Sequence, residues 1–210
     1  MRNLPPNIEA ISPAKSRTDG GTVIQVIGTE FGIRDEDAKF KIVLTRGAPS
    51  SSCFGIATLN CHELPAYGGT TLASGKEQVE FNAPESFGAS WNVRLIVSNK
   101  DTNQSTSADF LPADVDARFG YSIPEITSVE IEPSGTSALN TLTIKGQNFC
   151  NRDEQGCGSI FLCDKNASSN ATAEHCYAQS SEITNTTFWS HDEIISQVAT
   201  THGFVFIRVG

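Results

Sequence analysis

One turn occurs twice in this chain of 210 residues. The segment GTEFGIRDED, residues 28–37, returns as GQNFCNRDEQ, residues 146–155, at an offset of 118 residues. The segments around it recur in the same order: PNIEAISP and PEITSVEIEP, TVIQVIG and NTLTIKG, KFKIVL and SIFLC, VRLIVS and FVFIRV. Because folding domains commonly hold about 100 to 150 residues, the repeat predicts two domains, 1–122 and 123–210.

The predicted secondary structure is β throughout. The segments TVIQVIG, KFKIVL, QVEFNAP and WNVRLIV alternate apolar with polar residues between turn-forming residues, and no segment keeps a helical apolar period. Short strands at this spacing predict an all-β sandwich. Residues 47–77 lengthen the first domain, and we expect them to form an inserted loop or an extra hairpin.

The second domain is expected to lack its last strand. The first domain continues after VRLIVS through NKDTNQST to FGYSIP, whereas the sequence of the second stops directly after FVFIRV. A sandwich without its last strand exposes an unpaired edge, which is a template for a strand from elsewhere. We therefore predict a strand-exchange edge at Phe204, Phe206 and Val209.

The chain is acidic, with a formal net charge of −9. Residues 1–122 carry 11 basic and 14 acidic residues, and residues 123–210 carry 4 and 10. Such a surface repels phosphate, so we expect no nucleic-acid partner. No run of 18 apolar residues predicts a membrane span, and MRNLPPNIEA does not have the pattern of a signal peptide. We expect a mature piece or an excised segment of a secreted protein.

Six cysteines and four Asn-x-Ser/Thr acceptors favour an extracellular or cell-surface location. Because no close C-x-x-C pair favours zinc, we predict disulfides. The two cysteines of the first domain, Cys53 and Cys61, fit one bridge. The four of the second domain allow three pairings, of which we favour Cys150 with Cys157 and Cys163 with Cys176. N-linked glycans are expected on the acceptors, which are Asn103, Asn166, Asn170 and Asn185.

The acids that follow each repeated turn leave two interpretations open, a calcium loop and a solvated turn. They are Asp35, Glu36, Asp37, Asp153 and Glu154. Calcium needs six to eight oxygen ligands, usually from alternating positions. Consecutive acids point in different directions, so we favour the solvated turn and expect no metal site and no cofactor.

Catalytic patterns are missing from the sequence. It contains no nucleophile elbow and no phosphate loop, and its four histidines are scattered. We therefore expect no catalytic residues and no enzyme activity. We predict that the main aromatic residues pack in the core or at sheet edges rather than forming a sugar platform. They are Phe81, Trp91, Phe110, Phe188 and Trp189.

A set of spaced motifs resembles the IPT/TIG domains, which are immunoglobulin-like sandwiches of plexins, related receptors and some transcription factors. P-x-I-x-x-I-x-P at residues 6–13 is followed by Gly-Gly-Thr at 20–22 and by G-T-E-F-G at 28–32, and F-G-Y-S-I-P at 119–124 joins the halves. The resemblance implies two tandem immunoglobulin-like β-sandwiches. In the second copy SALNT replaces Gly-Gly-Thr, and Cys150 replaces the second glycine of the turn.

The leading functional hypothesis is a non-enzymatic extracellular glycoprotein with a structural or adhesive role. Its partners would be copies of itself or neighbouring modules of a longer tandem array that forms a surface stalk or filament. A second hypothesis is the spacer region of a receptor ectodomain that binds a protein ligand. A third is the accessory module of a secreted polysaccharide-degrading enzyme.

Overall fold

The chain forms two compact units, Met1–Ser122 (unit 1) and Ile123–Gly210 (unit 2). The computed structural model describes residues 5–33, 38–46, 52–54, 60–99, 104–110, 118–133, 139–151, 158–164, 181–199 and 203–208. Within these ranges every long regular element is a β-strand, and each unit has its own hydrophobic core. The all-β prediction is confirmed.

Unit 1 is a sandwich of two sheets that share one strand. Its described strands are β1 (Asn7–Ser12), β2 (Lys15–Ser16), β3 (Val23–Thr29), β4 (Ala38–Arg46), β5 (Cys61–Thr71), β6 (Glu77–Asn82), β7 (Trp91–Asn99), β8 (Gln104–Phe110) and β9 (Gly120–Tyr121). One sheet has the order β1-β3-β6-β5 and the other the order β5-β4-β7-β8. β9 pairs with β2 in parallel, which ties the end of the unit to its beginning.

The core of unit 1 follows from the period of two in its strands. Ile24 and Val26 of β3 and Leu95 of β7 are fully buried, because alternate residues of a strand face the same side of the sheet. Trp91 lies at the centre and is held in place by its indole Nε1, which donates to the carbonyl of Phe87 at 3.1 Å. The indole N–H of Trp91 therefore has a hydrogen-bond acceptor although it lies in the apolar core.

Within the predicted insertion at 47–77, residues 61–71 form the strand β5, which belongs to both sheets of the sandwich. Residues 61–66 pair with β4, whereas Tyr67, Thr70 and Thr71 pair with β6, with a register shift between Tyr67 and Thr70. Gly68 has φ +68° at this shift, a conformation that glycine adopts at little cost. The strand thus passes from one sheet to the other between Ala66 and Tyr67, directly before its glycine pair.

Unit 2 repeats the strand order of unit 1. Its described strands are β10 (Glu125–Pro133), β11 (Asn140–Gln147), β12 (Ser159–Asp164), β13 (Ser181–Glu182), β14 (Thr186–Trp189), β15 (Glu193–Val198) and β16 (Gly203–Arg208). The sheets have the orders β10-β11-β15-β14 and β13-β12-β16. The separate strands β13 and β14 take the places of the two halves of β5, and among the described residues β16 pairs only with β12.

The register of β16 corrects the alignment of FVFIRV with VRLIVS by one residue. Val93 pairs with Leu44 in unit 1, and Val205 pairs with Leu162 in unit 2. Leu44 and Leu162 keep the 118-residue offset of the repeated turn, so they are equivalent. Val205, and not Phe204, therefore occupies the position of Val93.

We predict that unit 1 depends on the aromatic residues around β9. Phe119 is fully buried and its ring lies 5.9 Å from Phe81, centroid to centroid. Phe119→Ala should lower the free energy of unfolding by about 3–5 kcal/mol, because it removes a large buried side chain. Tyr121→Phe, which removes only the hydroxyl that donates to Pro84 O at 2.9 Å, should cost about 1 kcal/mol.

Urea unfolding of both variants measures these losses. A loss for Phe119→Ala no larger than that for Tyr121→Phe would contradict the assignment of β9 to the core.

Candidate functional site

The repeated turn is the feature that both units share most closely. In unit 1 Glu30 and Gly32 have φ of 60° and 72°, and between them Phe31 inserts fully into the core. The carboxylate of Glu77 accepts hydrogen bonds from the backbone N–H groups of Phe31 and of Gly32, the latter at 3.2 Å. Phe31 thus fills one end of the core of unit 1.

The turn of unit 2 has the same backbone with different partners. Asn148 and Cys150 have φ of 61° and 56°, and Phe149 between them is fully buried. The N–H of Phe149 donates to the carbonyl of His191 at 3.0 Å, so a backbone oxygen replaces the carboxylate of Glu77. A non-glycine residue at positive φ costs about 1–3 kcal/mol, and Cys150 is held there as part of a disulfide.

The first glycine of each turn is required by the lack of space around it. Neither Gly28 nor Gly146 has a positive φ. A Cβ atom on Gly28 would lie 1.9 Å from Asn7 O, and one on Gly146 would lie 2.0 Å from Glu125 O. Glycine is therefore required because the neighbouring strand and the phenylalanine ring approach too closely for any side chain.

A disulfide joins Cys53 to Cys61, with the two Cα atoms 5.4 Å apart, which confirms that predicted pair. Beside it, Glu63 accepts from the backbone N–H of Cys53 at 2.7 Å and from Lys41 Nζ at 2.9 Å. These two hydrogen bonds, that of Lys41 first, lower the pKa of Glu63. They hold Cys53, the first residue of the loop that the disulfide closes, against the strand β5.

The disulfide connectivity of unit 2 stays a prediction. Cys150 is bonded, but Cys157, Cys176 and the side chain of Cys163 lie outside the described part of the structure.

One of the four glycan acceptors can be located. Asn185 is exposed between β13 and β14, and its backbone carbonyl accepts from Gln197 N at 3.0 Å. The hydroxyl of Thr187, the third residue of its acceptor motif, donates to Ile195 O at 3.2 Å. Asn185 is thus accessible to solvent on an ordered strand connection, and glycosylation there stays a prediction. Asn103, Asn166 and Asn170 lie outside the described residues.

The acids that follow each repeated turn were predicted to be solvated rather than to bind calcium. Asp35, Glu36, Asp37, Asp153 and Glu154 lie outside the described residues, so the choice between solvated turn and calcium loop stays open. Among the residues that are described, no group of three or more His, Cys, Asp or Glu side chains could hold a metal ion.

An open groove of about 360 Å³ lies on unit 2. Ser190 Oγ donates to Asp192 Oδ1 at 2.6 Å and accepts from Glu193 N at 3.1 Å, so these bonds close the turn between β14 and β15. The groove offers two carboxylates and a lysine, and its serine hydroxyl is engaged in the hydrogen bonds of this turn. It is lined by Thr127, Lys145, Gly146, Phe188, Ser190, Asp192 and Glu193.

The aromatic predictions are confirmed for four residues. Phe81, Trp91 and Trp189 are buried, and Phe110 packs against the core of unit 1. Trp189 Nε1 donates to Phe149 O at 3.1 Å inside the core of unit 2, so Trp189 is not a sugar platform. Phe188 differs, since it is 47% exposed on β14. Successive residues of a strand face opposite sides, so Phe188 lies on the face opposite to Trp189.

The predicted strand-exchange edge lies partly within the described residues. Phe204 and Phe206 belong to β16, where they pair with Cys163 and Phe161 of β12, and Val209 lies outside the described part. Strand exchange at this edge stays a prediction.

Two β-sheets packed around a core, with a long strand common to both in unit 1, define the class of immunoglobulin-like β-sandwiches. The family model of the IPT/TIG domain matches residues 6–53, from just before β1 to Cys53, and supports this family for that part of unit 1. IPT/TIG domains are non-catalytic immunoglobulin-like domains that are common in extracellular and cell-surface proteins. No curated protein matches the chain. The described residues contain no helix that could cross a membrane.

We predict that Gly28→Ala destabilises unit 1 more than Gly75→Ala. The first substitution forces Cβ against Asn7 O, whereas Gly75 has φ +80° with open space around it. Strain at Gly75 should cost about 1–2 kcal/mol, and the clash at Gly28 should cost about 3 kcal/mol or more. Chemical denaturation measures both, and equal losses would show that close approach is not what selects Gly28.

We also predict a pH dependence at His62. Its ring lies 5.3 Å from that of Trp91, and burial lowers its pKa from 6.5. As pH falls below 6.5, the unfolded chain binds a proton at His62 before the folded chain does, so the free energy of unfolding decreases. The loss grows until the pH reaches the lower pKa of the folded state.

The measurement is urea unfolding at about pH 7.5 and about pH 5. The wild type should lose more stability than His62→Gln, whose side chain does not titrate. A larger loss for His62→Gln would contradict the assignment.

Proposed function

We propose that this chain is a non-enzymatic extracellular module with a structural or adhesive role, part of a longer tandem array that forms a surface stalk or filament. The observation that carries the proposal is the family match over residues 6–53 on a disulfide-bonded immunoglobulin-like sandwich. Such sandwiches present sheet faces and loops as surfaces for contact.

Unit 2 is a second copy of the same module in this proposal. Its strand order follows that of unit 1, and both units have a register shift one residue after the isoleucine that pairs with the turn glycine. The pairs are Ile8 with Gly28 and Ile126 with Gly146. A bulge and a tight turn at equivalent places support duplication, because β-bulges are conserved within protein families.

Burial of the aromatic residues weakens the accessory-module hypothesis, since Trp189, the residue that would stack on a polysaccharide, is in the core. The receptor-spacer hypothesis is favoured by the family match, because IPT/TIG domains occur in surface proteins. In that role the two units would separate a ligand-binding domain from the membrane, and partners would be protein ligands rather than copies of the chain.

Electron microscopy of material purified from its native source tests the proposed role. We expect regular fibres or ordered rows of modules. Dispersed single molecules at high concentration would count against the array, and specific capture of one soluble protein by cells that display the chain would favour the receptor spacer.

We predict that secreted expression in eukaryotic cells adds an N-linked glycan at Asn185, because its side chain is exposed on the surface. Intact mass before and after enzymatic deglycosylation measures the change. Asn185→Gln should remove one glycan mass, whereas Asn82→Gln, at an asparagine outside any acceptor motif, should remove none. An unchanged mass for Asn185→Gln would exclude glycosylation at this site.

A further inference from the structure

Two apolar side chains lie side by side on the outer face of the sheet β10-β11-β15-β14 in unit 2. Phe188 of β14 is 47% exposed and pairs with Ile195 of β15, which is half-buried. The next pair, Trp189 with Ile194, belongs to the core. Because successive residues of a strand face opposite sides, Phe188 and Ile195 (the apolar pair) both face outward.

The strand register identifies the equivalent residues of unit 1. Val26 and Ile144 keep the 118-residue offset of the repeated turn. Val26 pairs with Val79 of β6, and Ile144 pairs with Ile194 of β15. The strands β6 and β15 are therefore equivalent in this register, with Val79 in the place of Ile194.

In unit 1 the position of the apolar pair is polar. Glu80 takes the place of Ile195, and Tyr67, which pairs with Glu80, takes the place of Phe188. Glu80 accepts hydrogen bonds from two glutamine side chains, and the hydroxyl of Tyr67 donates to Asn82 Oδ1 at 2.6 Å. Unit 1 thus has a hydrogen-bonded surface where unit 2 has an aromatic ring and an aliphatic side chain.

A glycan acceptor lies next to the apolar pair. Asn185 directly precedes β14, and its carbonyl accepts from Gln197 N at 3.0 Å, so Asn185 lies opposite Gln197. Gln197 is two residues from Ile195 on the same face, about 7 Å along the strand. Thr186 faces inward, because its Oγ1 accepts from the fully buried Ser196. Asn185 therefore faces outward, on the side of the apolar pair.

The side chains around Asn185 leave space for a sugar over the apolar pair. Gln197 Nε2 donates to Thr141 Oγ1 at 3.3 Å, so this amide is turned toward β11 and away from β14. Beyond Phe188 lies the open groove of about 360 Å³, with its lysine and two carboxylates. Asn185, Phe188 and the groove thus follow one another in the direction of β14.

We propose that Phe188 is the platform for an N-linked glycan on Asn185. The first N-acetylglucosamine packs on the apolar pair, and the second reaches the groove, where the charged side chains bond its hydroxyls. The ligand of this surface is therefore the inner core of the chain's own glycan. This inference rests on the extracellular location in the proposed function and on the glycosylation of Asn185 predicted with it.

The chemistry of the sugar fits the surface. One face of an N-acetylglucosamine ring consists of C–H groups, whereas its hydroxyls and its acetamide lie at the rim. Packing this face on Phe188 removes apolar surface of both partners from water, while the polar rim stays solvated. The tyrosine of unit 1 does not have this need, because its hydroxyl is bonded to the neighbouring strand.

Attachment to Asn185 favours the chain's own glycan over a sugar of another molecule. Two partly covered side chains offer little apolar area, and such a surface does not offset the freedom of motion that separate molecules lose on association. A sugar that is already linked beside the surface has a high effective concentration there.

Nuclear magnetic resonance of the full chain, secreted by eukaryotic cells, tests the contact. The ring current of Phe188 should shift proton resonances of the first N-acetylglucosamine upfield, and Asn185→Gln identifies those resonances by their loss. Phe188→Ser should abolish the shift. Phe54→Ser is the matched control, since Phe54 is an exposed phenylalanine of unit 1, and it should leave the shift unchanged. Unshifted resonances in the wild type would overturn the proposal, as would a mass that shows no glycan at Asn185.

Thermal unfolding of glycosylated molecules tests the stabilisation. Asn185→Gln should lower the midpoint of unit 2 by roughly 4 °C in the wild-type chain. In a chain with Phe188→Ser it should have almost no effect, because the ring on which the sugar packs is gone. Phe188→Tyr should retain the effect, since it keeps the ring. Equal effects of Asn185→Gln with and without Phe188→Ser would overturn the proposal.

Two further measurements separate this inference from its alternatives. Enzymatic trimming to the first sugar should leave the upfield shift in place, and loss of the shift would overturn the packing of that sugar on Phe188. Binding of free chitobiose, the disaccharide of N-acetylglucosamine, to Asn185→Gln at micromolar concentration would assign the surface to glycans of other molecules. The array is tested by microscopy of native material, so failure of the sugar contact does not imply failure of the proposed function.

Discussion

The contact between a glycine and a phenylalanine three residues later determines how each unit is built. Phe31 packs over Gly28 and Phe149 over Gly146, and in both cases a carbonyl of the preceding edge strand approaches from the other side. Because the glycine has no side chain, the edge strand, the turn and the core meet at one point. The bulges in β1 and β10 follow directly after it, so this contact also sets which residues of the edge strand face the core.

The period of two was strong enough to predict several of the longer strands. β3, β4, β6 and β7 in unit 1 and β11 in unit 2 lie where the alternation places them. β15 was missed because Ser196 occupies a fully buried position in it. Its hydroxyl donates to Thr186 Oγ1 at 2.8 Å, and such a pairing cannot be seen in a local pattern.

The sequence predicted which residues form the candidate site but not how these residues contact one another. The glycines and phenylalanines of the turn stood out by repetition, and Cys53 with Cys61 by their number. Gly28 is required because of Asn7, which lies on another strand. Of the two positive φ angles of the turn, the one at Gly32 fits the preference of glycine, whereas the one at Glu30 is not indicated by its residue type. Close approach between strands is a tertiary effect, so local sequence contains no signal for it.

The strand β5 has a mechanical consequence for unit 1. One continuous strand is hydrogen-bonded to β4 in one sheet and to β6 in the other, so a load that pulls the sheets apart must unzip backbone bonds before the core opens. In unit 2 the same places are filled by β13, with two residues, and β14, with four. Under a pulling force we therefore expect unit 2 to open before unit 1.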